Sequence, residues 1–341
     1  MKAMLPMTTD RRPLAGRSSW LITDGKIGMD VQVRGVADAL ELQAEMKHVS
    51  PSGIHRALSP WLPPSARDRI GTGGAMSPPW PAIVLATGRL SIPYLRAVRR
   101  QSGAQTFTVI LQDPKTGLGS ADLIWVPAHD KLRGPNVITT PTAPHSFTQA
   151  RLAALRAKVP PDVAALPQPR VAIMLGGLSD DYPYSGACHQ RLASALKSLG
   201  DLGASFLVTP SRRTHPELLA TVDAATASRP RIVWNGTDPN PYADFLAQAD
   251  VLIATADSVN MCSEAAATGR PAYVFMPAGG TPKFNRFHQA LSQAGATRPL
   301  PDHLSAIEHW EYEPLEAGRT IAAEIERRFA DHQAKLARSG G

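Results

Sequence analysis

Residues 251–276 read VLIATADSVNMCSEAAATGRPAYVFM, and this stretch indicates how the chain around it folds. Its two ends, Val251–Ala254 and Ala272–Met276, are short apolar runs of the kind that form strands buried on both faces of a parallel sheet. Small and polar residues between them open a helical segment, Ser258–Thr268, which Gly269 ends. A strand, a helix and a second strand in this order predict one βαβ unit of an α/β sheet.

The same alternation runs through both halves of the chain. In the C-terminal half, further apolar runs predict strands at Val171–Leu175, Phe206–Thr209 and Ile232–Trp234. The N-terminal half is less regular, with strands predicted at Trp20–Thr23, Met46–Val49, Ile83–Thr87, Phe107–Leu111 and Leu123–Val126. These patterns predict an α/β protein of two Rossmann-like domains, each a doubly wound parallel sheet, that face a cleft.

The length of 341 residues also favours two domains, because single hydrophobic cores stop growing at about 250–300 residues. Prolines at positions 160, 161, 167 and 169 indicate a stiff linker between the halves. After Pro301 the strand pattern stops, and the apolar spacing predicts a terminal helix. We therefore predict a disordered tail at 1–17, an N-terminal domain at 18–155, a linker at 156–169, a C-terminal domain at 170–310, and a terminal helix with its tail at 311–341.

The composition limits the class of protein. Two cysteines, Cys188 and Cys262, exclude a disulfide scaffold, and the histidines show no metal-binding spacing, so we expect no metal and no cofactor. No apolar run approaches the roughly 20 residues of a membrane-spanning helix. The N-terminus also lacks the apolar core of a signal peptide. We expect a cytoplasmic protein, with peripheral attachment to the inner membrane left open.

The net charge of +7 favours partners that carry phosphate or another negative charge. The arginines are scattered, aromatic residues make up only 6% of the chain, and no helix-turn-helix, RNP or zinc-finger pattern is present. We therefore expect phosphorylated small molecules or an anionic membrane surface as partners, rather than nucleic acid.

Two motifs follow the first two strands of the C-terminal half, at the sheet edge where ligands bind in this fold class. A glycine pair lets the backbone approach a diphosphate, and paired arginines suit phosphate because the guanidinium fork is bidentate. The structural alternatives are a plain strand-to-helix turn and a solvated arginine pair beside a helix start. The candidate ligand contacts are Gly176, Gly177, Ser179, Ser211, Arg212 and Arg213.

Two further motifs follow the later strands. A carboxylate in the second turn of the Ser258–Thr268 helix can accept two hydrogen bonds from a ribose diol, and polar residues at the start of that helix can face a ligand. Cations near the next helix start oppose its dipole, so an anionic partner would compensate them. The alternatives are helix caps and a solvated basic face. The candidate contacts are Asp257, Ser258, Ser263, Glu264, Lys283 and Arg286.

The N-terminal half carries a glycine-spaced loop after its first strand. The loop lacks both the G-x-G-x-x-G and the P-loop pattern, but it can still form a ligand cradle together with the turns after two later strands. The candidate contacts on this side of the cleft are Gly25, Lys26, Gly28, Gln32, Gly88 and Gln112. Asp24, Asp30 and Asp113 are weak candidates for a general base, and for each of them a turn-capping role is favoured.

An irregular segment, residues 54–80, interrupts the alternation in the N-terminal half. It combines apolar and basic side chains in a pattern that fits a membrane surface near a lipid acceptor: Trp61, Leu62, Trp80, Arg56, Arg67 and Arg69. A mobile insert is the alternative, which the length and composition favour.

Taken together, these segments resemble the "elongated mitochondria" family of mitochondrial-fission proteins from bacteria and plants. The resemblance spans about residues 19–300 and rests on the motifs at 23–28, 176–177, 209–214, 255–258, 263–269 and 283–288. It implies a GT-B glycosyltransferase-like fold, with an acceptor domain at 18–155 and a nucleotide-sugar domain at 170–310. For plant members, it also implies an association with recruiting a dynamin-related protein to mitochondria.

The chain is also distantly similar to the GT-B enzyme that adds N-acetylglucosamine to lipid I. This likeness implies that Glu264 holds the nucleotide ribose. The other positions that match the pattern of that enzyme are Gly176, Gly177, Ser263, Lys283 and Arg286. The N-terminal loop departs from the pattern, since Met29 stands where that enzyme family carries His.

These observations leave three hypotheses about function. The first is a metal-independent glycosyltransferase that uses a UDP-sugar or another nucleoside-diphosphate sugar and an unknown acceptor, with a lipid-linked acceptor left open. The second is a nucleotide-sugar 2-epimerase of the same fold. The third is a non-catalytic adaptor, for which the loss of Glu264 would have no consequence.

Overall fold

The computed structural model describes residues 13–177 and 179–339, so most of the predicted disordered tail, residues 1–12, lies outside the described part. The chain divides into two compact units. The first comprises the described residues of 1–126, 132–139 and 318–341, and the second comprises residues 127–131 and the described residues of 140–317. Each unit holds a parallel six-stranded sheet covered by helices, which confirms the predicted α/β fold class with two doubly wound sheets.

The sheet of the first unit has the strand order β2-β1-β3-β4-β5-β6. Its strands are β1 (Ser18–Thr23), β2 (Gln43–His48), β3 (Ile83–Ala86), β4 (Phe107–Ile110), β5 (Leu123–Pro127) and β6 (Val137–Thr140). The helices are α1 (Ile27–Ala39), α2 (Gly53–Ala57), α3 (Ile92–Gln101) and, from the end of the chain, α11 (Ala317–Ser339). The central strands β3 and β4 are buried along their whole length, as the apolar runs predict.

Two helices of this unit show why their sequences fold as they do. Val33 and Val36 lie on one face of α1 and are fully buried, as their spacing predicts. On α11, Ile325 and Phe329 are buried in the same way, and the ring of Phe329 packs edge to face on Phe107 of β4, with the ring centroids 5.9 Å apart. The terminal helix therefore completes the core of the first unit.

The segment at 54–80 is tied to the first unit by packing. Met76 is buried in the core, and Trp80 packs edge to face on Trp20 of β1, with the ring centroids 5.9 Å apart. One side of the Trp80 ring is therefore covered by β1, and its place in a basic and apolar patch stays a prediction. The same segment contains α2 and a short 3₁₀ turn at Ala66–Asp68.

The sheet of the second unit has the strand order β12-β11-β10-β7-β8-β9. Its strands are β7 (Arg170–Leu175), β8 (Ser205–Pro210), β9 (Arg231–Val233), β10 (Val251–Thr255), β11 (Ala272–Phe275) and β12 (Thr297–Pro299). The helices are α4 (Gln149–Ala157), α5 (Pro161–Ala164), α6 (Gly186–Asp201), α7 (Pro216–Thr226), α8 (Tyr242–Gln248), α9 (Val259–Ala266) and α10 (Pro282–Gln293).

Strand β7 shows how the second core is divided between the two faces of the sheet. Val171, Ile173 and Leu175 join the cluster under α6 and α7, whereas Ala172 and Met174 join the cluster under α8 and α9. Successive side chains of a strand point to opposite faces, so a strand covered on both faces must be apolar at every position. The proline-rich stretch before β7 contains α5, whose Val163 is buried in the second of these clusters.

Candidate functional site

The order of the strands in the second sheet places a crevice between β7 and β10. The chain runs from β7 outward to β8 and β9 on one side, then returns to lay β10 and β11 on the other side. The loops after β7 and β10 therefore lead away from each other at the carboxyl edge of the sheet. Ligands of open α/β sheets bind at such a reversal of strand order.

The loops after β7 and β10 are joined directly by hydrogen bonds. The backbone N–H of Gly176 donates to the Thr255 hydroxyl at 2.8 Å, and the N–H of Gly177 donates to Oδ2 of Asp257 at 2.8 Å. Tyr184 donates its hydroxyl to Oδ1 of the same carboxylate at 3.2 Å. The Asp257 carboxylate thus organises the crevice, and it takes up the N–H that Gly177 was predicted to offer a diphosphate.

Close approach of protein groups accounts for the glycine pair. A Cβ on Gly176 would lie 2.2 Å from Oδ2 of Asp257, and a Cβ on Gly177 would lie 2.2 Å from the carbonyl oxygen of Arg213. Neither distance is compatible with van der Waals contact. The two glycines are therefore required by packing between the loops that follow β7, β8 and β10, whether or not a ligand is bound.

The loop after β8 is held to the glycine turn by two hydroxyls. Ser211 and Thr214 both donate to the carbonyl oxygen of Gly176, at 3.0 and 2.6 Å. A capping box of Thr214 and Glu217 at the start of α7, as their spacing suggests, does not form. His215 is the residue that caps α7, since its ring accepts a hydrogen bond from the N–H of Glu217.

The paired arginines lie at the outer rim of this crevice. Arg212 is exposed, and the side chain of Arg213 is 61% exposed, with its Nη2 3.9 Å from Oδ2 of Asp257. The fully buried Asp257 carboxylate holds Arg213 near the crevice, while both guanidinium groups stay accessible to a ligand. Their placement after a strand of the second sheet is the one that the sequence predicts.

Helix α9 carries the Ser-Glu dipeptide. Ser258 caps the helix by accepting a hydrogen bond from the N–H of Met261 at 3.3 Å. Glu264 lies in the second turn, is only 7% exposed, and accepts a short hydrogen bond from the hydroxyl of Tyr242 on α8. Burial raises the pKa of the Glu264 carboxyl from 4.5 to about 7, against the opposing effects of Tyr242 and the positive charge of Arg151.

The side chain of Ser263, the neighbour of Glu264, is engaged within the protein and is not available to a ligand. It is fully buried, its hydroxyl donates to the carbonyl of Val259 at 2.7 Å, and the same oxygen accepts the N–H of Ala143 at 3.0 Å. Its hydrogen bonds hold α9 against the 140–148 segment. We therefore do not retain Ser263 among the proposed ligand contacts.

The loops after β7 and β11 also meet at this edge. The N–H of Gly280 donates to the carbonyl of Asp181 at 2.5 Å, and the ring of Tyr182 packs on Phe284 of α10, with the ring centroids 5.2 Å apart. The hydroxyls of Ser179 and Tyr182 are buried and have no hydrogen-bond partner within the described residues. Both oxygens are closed off from solvent, so they are not accessible to a ligand in this structure.

The cations at the start of α10 are compensated by the protein. Lys283 forms an ion pair with Asp130 at 2.8 Å, and the guanidinium of Arg286 donates two hydrogen bonds to the carbonyl of His129, at 3.2 and 3.0 Å. Burial and the nearby positive charge of Lys283 lower the pKa of His129 to about 4, so this ring is neutral at pH 7. The anionic partner predicted for these cations is thus supplied in part by residues 127–131.

In the first unit, the predicted carboxylates are engaged in local contacts. Asp24 pairs with Lys26 at 2.6 Å, and Asp113 accepts the N–H of Lys115 at 2.9 Å and pairs with its side chain. These are the turn-capping geometries that sequence reasoning favoured. Asp30 of α1 likewise accepts a hydrogen bond from Thr23, at 2.5 Å, and contacts the ring of His48, at 3.1 Å.

The other residues predicted to contact a ligand in the N-terminal half lie around the reversal of strand order between β1 and β3. Gly25 and Gly88 adopt positive φ angles of 78° and 90°, which only glycine adopts without strain. The N–H of Gly88 donates to the side-chain carbonyl of Gln112 at 3.1 Å. Gly28 and Gln32 lie in the first turns of α1. The loops after β1, β3 and β4 therefore come together at the carboxyl edge of the first sheet.

Comparison with known proteins assigns the family. Residues 27–329 match the mitochondrial fission ELM1 family. The chain belongs to that family. The resemblance inferred from the motifs is thereby confirmed, and it extends to α11 at the C-terminal end.

Curated relatives of this ELM1-family chain include the mitochondrial fission protein ELM1 of Arabidopsis thaliana, with 28% identity over 274 residues, or 73% of the chain. An uncharacterized protein of Rickettsia prowazekii is 28% identical over 161 residues, or 44% of the chain. The matched parts span 64% and 44% of these relatives, so the chain covers less than two thirds of either one.

Solved structures similar to the ELM1-family chain have low sequence identity. MurG of Acinetobacter baumannii gives a TM-score of 0.48 at 16% identity, with 94% of each chain covered. The UDP-GlcNAc 2-epimerase of Methanocaldococcus jannaschii gives 0.49 at 10% identity, with 91% of this chain and 99% of that chain covered. At these values neither likeness bears on activity.

Tyr242 is a site residue of this ELM1-family chain that sequence reasoning missed. Tyr242 was not singled out, although it lies three and four positions before the buried Phe245 and Leu246 of α8. That spacing places its hydroxyl on the buried face, where a polar atom needs a partner. The partner is Glu264. The pairing could have been predicted, because a buried carboxylate and a buried phenol each need a hydrogen-bond partner.

The described residues of this ELM1-family chain hold neither a membrane-spanning helix nor a side-chain cluster suited to a metal ion. Neither α11 nor any shorter helix in this part of the chain is apolar enough to cross a bilayer. No group of three or more His, Cys, Asp or Glu side chains at 13–177 or 179–339 is arranged to hold a metal ion.

Proposed function

We propose that this ELM1-family chain binds a nucleoside-diphosphate sugar at the carboxyl edge of its second sheet and transfers the sugar in a metal-independent reaction. The observation that carries the proposal is the buried carboxyl of Glu264, which lies on α9, the helix that follows β10. A ribose diol offers two hydroxyl donors, and a carboxylate with one oxygen already bonded to Tyr242 has further lone pairs to accept them.

The positive charge at the rim suits the diphosphate. Arg212 and Arg213 follow β8, are exposed, and lie beside the glycine turn. Guanidinium groups bind phosphate oxygens through parallel hydrogen bonds, and in a glycosyl transfer they would stabilise the charge that develops on the leaving diphosphate.

A non-catalytic adaptor is the second candidate, and a specific observation favours it. Several groups predicted to contact the ligand have partners within the protein: Gly177 with Asp257, Ser263 with Ala143, Lys283 with Asp130, and Arg286 with His129. A fold that kept its packing but lost its substrate would look the same at these positions. A 2-epimerase would use the same nucleotide-sugar site and differ in the product.

On the acceptor side, we propose a lipid-linked acceptor and work at a membrane surface. Exposed basic and apolar side chains follow the strands of the first sheet, among them Lys26 and Trp61. Such a surface suits an amphiphile with an anionic head group better than it suits a neutral soluble sugar.

Calorimetric titration of UDP, GDP and their sugars separates the enzyme from the adaptor. The proposal predicts that one of these ligands binds with a Kd on the order of 10–100 µM, and that Glu264→Ala weakens it at least tenfold, by about 1.4 kcal/mol or more. Glu311→Ala, at an exposed glutamate of the same unit, is the matched control and should bind like the wild type.

The possible results point to different conclusions. If no nucleotide binds below about 1 mM, the adaptor is the better description. If a nucleotide binds equally well to the wild type and to Glu264→Ala, the chain binds nucleotides but Glu264 does not hold the ribose. Circular dichroism of each variant shows whether it is folded.

A further inference from the structure

The carboxyl edge of the first sheet carries an unusual concentration of exposed apolar side chains. Within the described residues, the large apolar side chains that are exposed are Ile27, Ile54, Leu58, Trp61, Val159 and Leu202. The first four of them follow β1 or β2, the two neighbouring strands at one side of that sheet. Single exposed apolar residues need no explanation, whereas a group of them marks a contact surface.

Three of these side chains lie within the eight residues 54–61. Ile54, Leu58 and Trp61 are 62%, 47% and 62% exposed. Ile54 lies in α2, Leu58 directly follows that helix, and Trp61 lies in the next turn, where its N–H donates to the carbonyl of Leu58 at 2.9 Å. We call Ile54, Leu58 and Trp61 the apolar triad.

The triad is held outward by a fixed backbone. Ser59 and Pro60, which lie between Leu58 and Trp61, are buried. The hydroxyl of Ser59 donates to the carbonyl of Arg89 at 2.9 Å, and the Arg89 guanidinium donates back to the carbonyl of Ser59 at 2.6 Å. The inward face of the segment is therefore filled by contacts with the loop after β3, and the exposed face is the one that carries the triad.

The exposed charged side chains of the segment that carries the triad are basic. Within residues 53–80, Arg56, Arg67 and Arg69 are exposed, and the single acidic residue, Asp68, accepts a hydrogen bond from Tyr94 at 3.1 Å. Arginines beside exposed Trp, Leu and Ile are the combination that binds the boundary between anionic head groups and acyl chains. A stable interface between proteins buries about 800 Å² on each partner, which is more surface than three side chains provide.

We infer that the apolar triad and its three arginines form a docking surface for a membrane that carries anionic lipids. The triad enters the head-group boundary, and the arginines pair with lipid phosphates. Docking of this surface places the acceptor side of the first unit at a bilayer, and its role in sugar transfer rests on the proposed function. The docking itself does not depend on nucleotide binding and is measured separately.

The experiment is co-sedimentation of the full chain with vesicles of phosphatidylcholine alone and of phosphatidylcholine with phosphatidylglycerol, at about 0.1 M salt. The first variant replaces the triad (Ile54→Ser, Leu58→Ser and Trp61→Ser), and the matched control replaces the exposed apolar residues of the second unit (Val159→Ser and Leu202→Ser). A charge variant carries Arg56→Gln, Arg67→Gln and Arg69→Gln.

The wild type and the control should partition onto the anionic vesicles at least about tenfold better than onto phosphatidylcholine. The triad variant should lose about tenfold or more in partition. The charge variant should lose on the order of tenfold to a hundredfold on anionic vesicles. Both variants should keep the nucleotide affinity and thermal stability of the wild type, because every substituted side chain is exposed.

Three results overturn the inference. The first is a wild type that fails to bind the anionic vesicles, and the second is a triad variant that binds them as well as the wild type does. The third is a wild type that self-associates in analytical ultracentrifugation through the triad without binding vesicles, which would make the surface an interface between copies of the chain. If neither the wild type nor any variant binds a nucleotide while the wild type still binds vesicles, only the proposed function is contradicted.

Discussion

The protonation of Glu264 predicts how nucleotide binding and stability should change with pH. The ionised carboxylate accepts hydrogen bonds from the two ribose hydroxyls more strongly than the protonated carboxyl does. Because burial raises the pKa of this carboxyl to about 7, its ionisation falls within the range in which proteins are ordinarily handled. We therefore expect nucleotide affinity to rise between pH 6 and pH 8, and we expect Glu264→Gln to abolish this part of the pH dependence.

The size of the effect follows from the pKa. A carboxyl with a pKa of about 7 is roughly 10% ionised at pH 6 and roughly 90% ionised at pH 8, so the affinity should rise by somewhat less than tenfold across that interval. Stability should change in the opposite direction. A folded-state pKa raised from 4.5 to about 7 favours the protonated folded form by about 3 kcal/mol, and this contribution is present below pH 4.5 and is lost as the pH rises through about 7.

The assay is calorimetric titration of the best-binding nucleotide at pH 6, 7 and 8, together with urea unfolding at the same pH values. The nucleotide phosphates have their own ionisation near this range, and Glu264→Gln reports that background because its side chain does not titrate. An equal pH dependence of affinity in the wild type and in Glu264→Gln would refute the reasoning. So would an unfolding free energy whose decline above pH 6 is unchanged by the substitution.

Three further substitutions test the site. Tyr242→Phe removes the hydroxyl that stabilises the Glu264 carboxylate, so the pH midpoint of nucleotide binding should rise by about one unit; an unchanged midpoint would contradict the role of the pair. Gly177→Ala places a Cβ 2.2 Å from a backbone carbonyl and should cost about 1–3 kcal/mol in urea unfolding, whereas Gly186→Ala, which has open space around it, should cost less than about 1 kcal/mol. Equal costs for the two alanines would contradict the packing explanation. Asp257→Asn removes one acceptor oxygen from a buried carboxylate that accepts hydrogen bonds from two donors, so it should lower the free energy of unfolding by about 1–3 kcal/mol. An unchanged value would show that these hydrogen bonds do not hold the crevice together.

The central strands and the sheet edge could be predicted from the sequence because their physical signals are local. Strands such as β7 and β10 are covered on both faces, so every position is apolar and the run stands out. Once strands alternate with helices, the carboxyl edge that carries the ligand loops follows from topology. The edge strands β6 and β12 were missed, and β2 was placed too late, because an edge strand can be polar or very short.

The contacts within the site could not be predicted because the partners are far apart in the sequence. Gly177 and Asp257 are 80 residues apart, and Arg286 and His129 are 157 apart. A motif shows which groups can bind a ligand, but it does not show whether another part of the chain already satisfies them. Ser263 illustrates the difference, since its hydroxyl looked available beside Glu264 and instead bonds to the segment around Ala143.

The most direct test of the account is a crystal structure of the full chain with the tightest-binding nucleotide. The account predicts that both ribose hydroxyls lie within about 3.2 Å of the Glu264 carboxylate, and that phosphate oxygens lie within hydrogen-bonding distance of Arg212 or Arg213. A nucleotide bound on any other face of the second unit, or one whose ribose leaves Glu264 bonded to Tyr242 alone, would contradict it.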